Sequence, residues 1–457
     1  MKKALLLLGS LVALRLLLMA VVPVFEPSEA RYAAISANMA RTGDFVVPAF
    51  THDLEYQSFD GKPPLVFQAG GLCCRVLGVG PGAPGNAYAL QFAVRLFPFV
   101  SAALLLWILF STTRHFLGPE RAALATWIAG TSTAFFAAAG MAMTDMTLAL
   151  CTTGALLCYW RFLDGFALRH AAAVAALLGA GMIVKGPVSL VMFGLPALAD
   201  AIINRRWRGI FNGKWLAVAP LYFAIAVPWF VLVEARNPGS VWYFFYNENF
   251  LRFVTHDYGD RYGAGREAFR GVSILWAIVA TLPWSLLPLW GLVRKVRGAF
   301  AARRFSLRRG EFAAFAERNA LRGFPFLALA AITLFWCLTS RVLLYYLFPV
   351  IALFAAWAAS VFAPKTLRRL LPFAVAATVF VTAGGLLAGM AWSDKMRGAA
   401  TELHPLTNHY AYEFYHGTPP PERLARLKAQ RERAIEAYRA RKAAEKNSDA
   451  KSAEVQP

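Results

Sequence analysis

Apolar runs long enough to cross a lipid bilayer recur from one end of this sequence to the other, and nothing constrains the fold more. A helix needs about 20 apolar residues to span the hydrocarbon core. Such runs fall at 4–24, 92–113, 121–140, 145–162, 170–185, 187–203, 215–233, 271–293, 322–339, 342–363 and 370–392. Eleven runs predict an all-α polytopic membrane protein, because only closed backbone hydrogen bonding is tolerated in lipid. The composition agrees: 58% of the residues are hydrophobic and 16% charged, against about 25% charged in an ordinary soluble domain. The pairs 121–140/145–162, 170–185/187–203 and 322–339/342–363 are almost continuous and predict tight helical hairpins.

The net charge of +21 would suggest nucleic acid in a soluble protein. Here much of the excess lies in short loops between apolar runs, where Lys and Arg set orientation. No nucleic-acid partner is expected. Lys2 and Lys3, Arg114 and Arg121, Arg161 and Arg169, Arg205 to Lys214, the basic stretch 294–322, and Lys365 to Arg369 all fall on one side if the N-terminus is cytoplasmic. The first run is long for a signal-peptide core and Arg15 interrupts it, so a retained signal-anchor helix is expected. The five cysteines show no spacing of a disulfide framework or a zinc site.

The opposite, outer side then receives the loops 25–91 and 234–270 and the turns at Asp145, Lys185 and Arg341. The first loop is patterned. Tyr32, Ile35 and Met39 recur at helical spacing with Ser36, predicting an amphipathic juxtamembrane helix. A second begins after "GKPPL". Residues 1–393 form the expected transmembrane domain. Residues 394–457 form a polar tail with a charged helix over 422–446, outside by parity although its basic residues favour the inside.

Ionisable residues on this side are candidates for chemistry. Lys62 precedes Pro63-Pro64, so it sits beside a helix N-terminus, where free N–H groups and the dipole favour an anion. A lipid-headgroup contact is the plainer alternative. Lys185 in "MIVKGPV" and Arg341 in "TSRVLLYYLFP" are lone cations in apolar turns. Such residues either face an internal cavity or snorkel to the interface. Asp145 in "MAMTDMTLAL" is their acidic counterpart, or a helix N-cap. Arg31, Lys62, Lys185 and Arg341, with the carboxylates Glu26, Glu29, Asp145 and Glu248, suit transfer of a group from a lipid phosphate. His52, His256 and Asn249 do not make a metal motif.

Seven segments in order carry a family resemblance: "SEARYAAISANMARTGDFVVP", "FDGKPPL", "TDMTLA", "VKGPVSL", "PWFVLVEARNPGSVWYFFYNENFLRF", "LPWSLLPL" and "SRVLLYYLFP". Together they resemble the bacterial GT-C membrane glycosyltransferases of the protein O-mannosyltransferase and aminoarabinose-transferase (ArnT-like) superfamily, over about residues 1 to 360. The resemblance implies a GT-C fold and a polyprenyl-phosphate sugar donor. It also implies an acceptor in the envelope (a lipid A-type glycolipid, a protein or another glycan) and an active site on the periplasmic face of the inner membrane. It makes Lys62 a donor-phosphate ligand, with Arg31, Lys185 and Arg341 around it. Asp145, Glu29 and Glu26 are the catalytic carboxylate candidates. Tyr32, Tyr345, Glu248 and Asn249 line the substrate cavity.

Departures from the family pattern matter. Ser28 stands where the family's first acidic pair begins with Asp, and Gly61 stands where the ArnT-like pattern has Glu. Asn249 replaces the histidine of the Glu-His pair, so no cofactor is implied outright: a divalent metal stays an open alternative whose ligand pair is not kept here. The long outer soluble domain of aminoarabinose transferases is missing. A transporter or flippase for a lipid-linked anion, or a non-catalytic binder of one, would use the same cations.

Overall fold

A computed structural model describes residues 2–25, 27–50, 58–82, 86–255, 268–291, 323–400 and 409–417, with isolated positions between 293 and 321 and between 421 and 436. Among the described residues there is no strand, only one isolated bridge between Ala49 and Ser58. The helices run α1 (Lys2–Val21), α2 (Ser28–Thr42), α3 (Leu65–Leu77), α4 (Ala87–Leu117), α5 (Pro119–Gly130), α6 (Thr133–Ala138), α7 (Thr144–Phe162), α8 (Leu168–Lys185), α9 (Val188–Ile203), α10 (Lys214–Ala226) and α11 (Pro228–Arg236). Further helices span Val272–Ala280, Phe324–Trp336, Phe348–Val361, Pro364–Ala400 and His409–His416.

The architecture is the all-α polytopic one expected. Among the described residues five helical stretches are long and apolar enough to cross a membrane: Ala87–Leu117, Leu168–Lys185, Lys214–Arg236, Leu344–Val361 and Pro364–Ala388. Four shorter apolar helices accompany them. The difference from eleven uninterrupted runs has local causes. The run 121–140 is broken at Thr131–Ser132, between α5 and α6. The run 271–293 bends after Ala280 into a turn, and proline at 283 cannot continue a helix ladder.

α7 is buried along nearly its whole length and packs against α4, α8, α9 and the helix Phe348–Val361. A helix that meets protein on every side need not be uniformly apolar, because its hydroxyls find partners. Thr152 Oγ1 donates to the Leu148 carbonyl at 2.8 Å and Thr153 Oγ1 to the Pro349 carbonyl at 2.6 Å. Thr147 meets Ser101 at 3.1 Å. The peripheral stretch Lys214–Arg236 is the reverse: Leu216, Phe223 and Val231 face outward, as lipid-facing helices require.

Among the described residues the basic loops at 114–121, 161–169 and 365–369 share one end of the bundle. There Arg121 donates to the carbonyls of Ala359 and Ser360, Arg368 pairs with Glu120, and His115 meets Asp164 at 2.6 Å. The other end holds α2, α3 and the Asp145, Lys185 and Arg341 turns. α2 is buried on most sides rather than resting on a surface. Gly70 and Gly71 make this packing possible: a Cβ on Gly70 would lie 2.8 Å from Ser36 Oγ, and one on Gly71 2.8 Å from the Ser36 carbonyl. Gly43, at φ +78°, ends α2 in the left-handed region, which glycine reaches without penalty.

The expected boundary at 393/394 falls inside the helix Pro364–Ala400. Beyond it, His409–His416 returns to pack on α2. Phe414 is fully buried. The Tyr415 hydroxyl accepts from the Val24 amide at 3.0 Å and donates to Gln91 at 3.1 Å. This segment therefore lies at the end that parity assigned to the tail. It carries no Lys or Arg, so the charge preference does not oppose that placement. The charged helix expected over 422–446 lies largely outside the described residues.

Candidate active site at one end of the bundle

Lys62, Lys185 and Arg341 come from three distant parts of the sequence and line one cavity of about 310 Å³ with Glu248 and Asn249. Each is held there by local structure. Lys62 precedes α3, whose first turn follows Pro63 and Pro64. Its Nζ donates to the Gly61 carbonyl at 2.6 Å and reaches Glu248 Oε2 at 3.4 Å. Burial pushes the Lys62 ammonium down to about 8, against the opposing pull of the Glu248 charge.

Lys185 ends α8, and Gly186 turns the chain at φ +81°. A Cβ at Gly186 would sit 2.4 Å from the Phe244 ring, so only glycine lets the segment 243–251 close on the Lys185 turn. Lys185 Nζ donates to Asp145 Oδ1 at 2.5 Å and lies 4.2 Å from the centre of the Tyr346 ring and 5.8 Å from that of Tyr345. Asp145 is in the first turn of α7, where the helix dipole favours a carboxylate. It is not the N-cap; that position is Met143.

Glu248 lies in a π-helical segment, Tyr243–Leu251, a geometry common at functional sites. It accepts from Arg252 at 2.9 Å and from the Tyr243 hydroxyl at 3.3 Å. Burial would raise its carboxyl, but Lys62 and Arg252 outweigh that and hold it below the usual range. Arg252 also reaches the Tyr346 hydroxyl at 3.4 Å. Arg341 is buried beside Thr339 on the opposite wall. Its turn is pinned by Trp276, whose indole donates to the Val342 carbonyl at 3.2 Å.

The remaining predicted residues divide. Tyr32 is buried, with its ring 5.2 Å from Phe67. Burial pushes its hydroxyl well above the usual value, with Asp145 and Tyr346 adding to the effect and Arg31 opposing it, so it remains a proton donor beside the Asp145 group. Tyr345 flanks Lys185. Arg31 is near the site but turned away, with its guanidinium over Tyr410 at 4.7 Å and Phe59 at 5.9 Å. Glu29 is not brought to the cavity. It pairs with Arg95 at 2.8 Å and accepts from the backbone amides of Phe25 and Ala142. Glu26, His52 and His256 lie outside the described residues.

Among the described residues, those of this cavity do not fit a divalent metal. The Glu248 carboxylate is taken by two cations and a tyrosine, and Asn249 turns its amide to the Phe244 carbonyl at 2.8 Å. Among the described residues no group of three or more His, Cys, Asp or Glu could hold an ion.

Sequence reasoning missed Arg252, Tyr346 and Trp336, all in the cavity wall. Arg252 had a signal: it follows Glu248 by one helical turn inside a segment already singled out. Among the described residues four cations (Lys62, Lys185, Arg252, Arg341) line the cavity with Glu248, and Asp145 stands behind Lys185. Val188, Val191, Phe250, Phe253 and Phe335 form the apolar remainder of the cavity. The arrangement suits an amphiphile with a phosphate head.

Known proteins resemble this chain over parts of its length. Residues 88–232 match the family of dolichyl-phosphate-mannose-protein mannosyltransferases. Over 235 residues the chain is 30% identical to the undecaprenyl phosphate-alpha-4-amino-4-deoxy-L-arabinose arabinosyl transferase of Edwardsiella ictaluri, covering 50% of this chain and 40% of that protein. It is 29% identical over 268 residues to the corresponding transferase of Pseudomonas aeruginosa, covering 57% and 45%. The chain thus spans less than half the length of these relatives. The crystal structure of ArnT from Cupriavidus metallidurans bound to undecaprenyl phosphate superposes with a TM-score of 0.66 at 18% identity, covering 94% of this chain and 88% of that one. The apo structure gives 0.60 at 21% identity, covering 90% and 67%. The chain has the ArnT fold, a GT-C membrane architecture.

Proposed function

We propose that this chain, built on the ArnT fold, transfers a sugar from a polyprenyl-phosphate donor to an envelope acceptor at the periplasmic face of a bacterial inner membrane. The relatives' names point to an aminopentose carried on undecaprenyl phosphate as the donor class. The acceptor is a lipid A-type glycolipid, a protein or another glycan.

The supporting observation is that four cations from distant parts of the sequence line one cavity beside an apolar wall. The donor is a phosphodiester with one negative charge. When the bond from the anomeric carbon to the phosphate oxygen breaks, its electron pair stays on that oxygen and the leaving group approaches two negative charges. Cations fixed around the phosphate stabilise the leaving group more than the bound donor, and catalysis requires that kind of difference. Lys62, Arg252, Lys185 and Arg341 hold the phosphate, and the apolar wall takes the start of the isoprenoid chain. The acceptor oxygen forms the new bond to the anomeric carbon from the opposite side, giving inversion. If the acceptor is a hydroxyl, Asp145 accepts its proton once the phosphate draws Lys185 away. If it is an ionised phosphate, no strong base is needed.

The test measures sugar transfer in membranes for wild type, Lys62→Ala and Arg252→Ala at matched expression. The proposal expects transfer to fall by about 10²–10³ in each variant, the usual cost of removing one preorganised charge. Full activity in both variants would overturn it. So would proteoliposomes that move the lipid-linked sugar across the membrane with no covalent transfer.

A further inference from the structure

A second cavity, of about 430 Å³, lies between α1, α4 and α5, away from the residues described above. It is elongated along the helices. Leu8 and Val12 line it from α1, Ala103 and Phe110 from α4, and Ala123 and Trp127 from α5. The lining of α4 begins at Phe99 and ends at Phe110, about 16 Å of helix. The walls are otherwise almost wholly apolar, with one charged group among them, Arg15.

Arg15 is 4% exposed. Its Nη2 donates to the Ala137 carbonyl at 2.5 Å, and its Nε has no hydrogen-bond partner among the described residues. Ala137 precedes the turn that leads into Asp145, so the guanidinium lies toward the same end of the bundle as the proposed active site. Arg95 and Glu29 both act on it electrostatically, and Glu29 is already paired with Arg95. Among the described residues these two guanidiniums have one carboxylate between them. A buried positive charge without a counter-ion is costly, and a cation at the head of an apolar channel is complementary to an anionic lipid.

We propose that this channel is a binding site for an anionic phospholipid, with one acyl chain between α1, α4 and α5 and the phosphate on Arg15. The site does not depend on the proposed transfer reaction. It places a membrane lipid against the Arg15–Arg95–Glu29 cluster, whose Glu29 holds the Ala142 amide at 2.9 Å, three residues before Asp145.

The test is native mass spectrometry of the purified full chain titrated with phosphatidylglycerol, phosphatidylcholine or inorganic phosphate. The expected result is one phosphatidylglycerol per chain, at least tenfold tighter than phosphatidylcholine, and no binding of inorganic phosphate at matched concentration. Ala103 is exposed and lines the channel, so Ala103→Trp fills it with little risk to folding and lowers phosphatidylglycerol retention at least tenfold. Arg15→Gln removes the preference between the two lipids. Unchanged retention in Ala103→Trp, equal binding of the two phospholipids by wild type, or saturable binding of inorganic phosphate alone would overturn the proposal. If Arg15→Gln does not fold, the Ala103→Trp result decides.

Discussion

Two clusters of buried charge lie toward the same end of this molecule and differ in how their carboxylates are satisfied. Glu29 has a guanidinium on one side and two backbone amides besides. Arg95 spends its remaining donors on the carbonyls of Met19, Val22 and Pro23. That pair ties α1, α2, α4 and the turn before α7 together. Around Glu248 and Asp145 the arrangement differs: among the described residues four cations line open volume. A carboxylate enclosed by its partners fixes structure, whereas cations that line a cavity can meet an anion that enters it. Both clusters read alike as isolated letters in the sequence.

The largest expected effect separates the two. Lys62→Ala or Arg252→Ala should lower sugar transfer by about 10²–10³ with little loss of folded protein. Glu29→Gln should do the reverse, because leaving Arg95 buried without its partner costs about 3–5 kcal/mol. Its thermal midpoint and membrane yield should fall, while activity per folded molecule stays nearer to wild type. A Glu29→Gln protein as stable as wild type but inactive would return Glu29 to the catalytic group and erase the distinction.

A smaller effect tests Lys62 through pH. Its buried ammonium titrates at about 8, so the charged form needed to meet the donor phosphate is lost as pH rises through that value. Measured on the free enzyme as kcat/KM, transfer should decline above pH 8. Lys62→Arg, which keeps its charge, should remove that decline even if its absolute rate is lower. A wild-type profile that is flat to pH 10 would remove Lys62 from the phosphate site.

Smaller again is Asp145→Asn, which keeps the shape that orients Lys185 but cannot take a proton. A loss of about 10², the low end of general acid–base catalysis, assigns the acceptor proton to Asp145. A loss of less than tenfold assigns it to positioning and favours an acceptor that is already ionised. The smallest effect belongs to Tyr410→Ala, which removes the ring stacked on Arg31. A partly desolvated cation–π contact is worth about 1–2 kcal/mol. The thermal midpoint should drop by a few degrees, with transfer reduced less than tenfold.

Much of the site was legible because lone charges in apolar surroundings stand out. Lys185, Arg341 and Asp145 each interrupt a hydrophobic run, and Lys62 announces itself by the two prolines that start α3. Arg252 was less visible because it stands in a loop that holds other charges, and its one signal was its place a helical turn after Glu248. Arg95 was hidden differently: it falls inside a run that otherwise reads as lipid-exposed, and its partner Glu29 is 66 residues away. The return of His409–His416 onto α2 was also illegible, since nothing local in that tyrosine-rich segment names the surface it covers.

The sequence by itself determined that the chain is a bundle of helices in a membrane, which loops share an end, and which charged residues stand in apolar turns. Those properties follow from the transfer free energy of each stretch and from charge between stretches, both local quantities. Only the tertiary structure decided which carboxylate meets which cation. Pairing depends on how α2, α4, α7, α8 and the segment 243–251 cross in space, and contacts such as Gly186 on Phe244 or Gly70 on Ser36 set those crossings. Burial turns the same glutamate into a brace when its partners saturate it, and into part of a binding site when it lines a cavity beside cations.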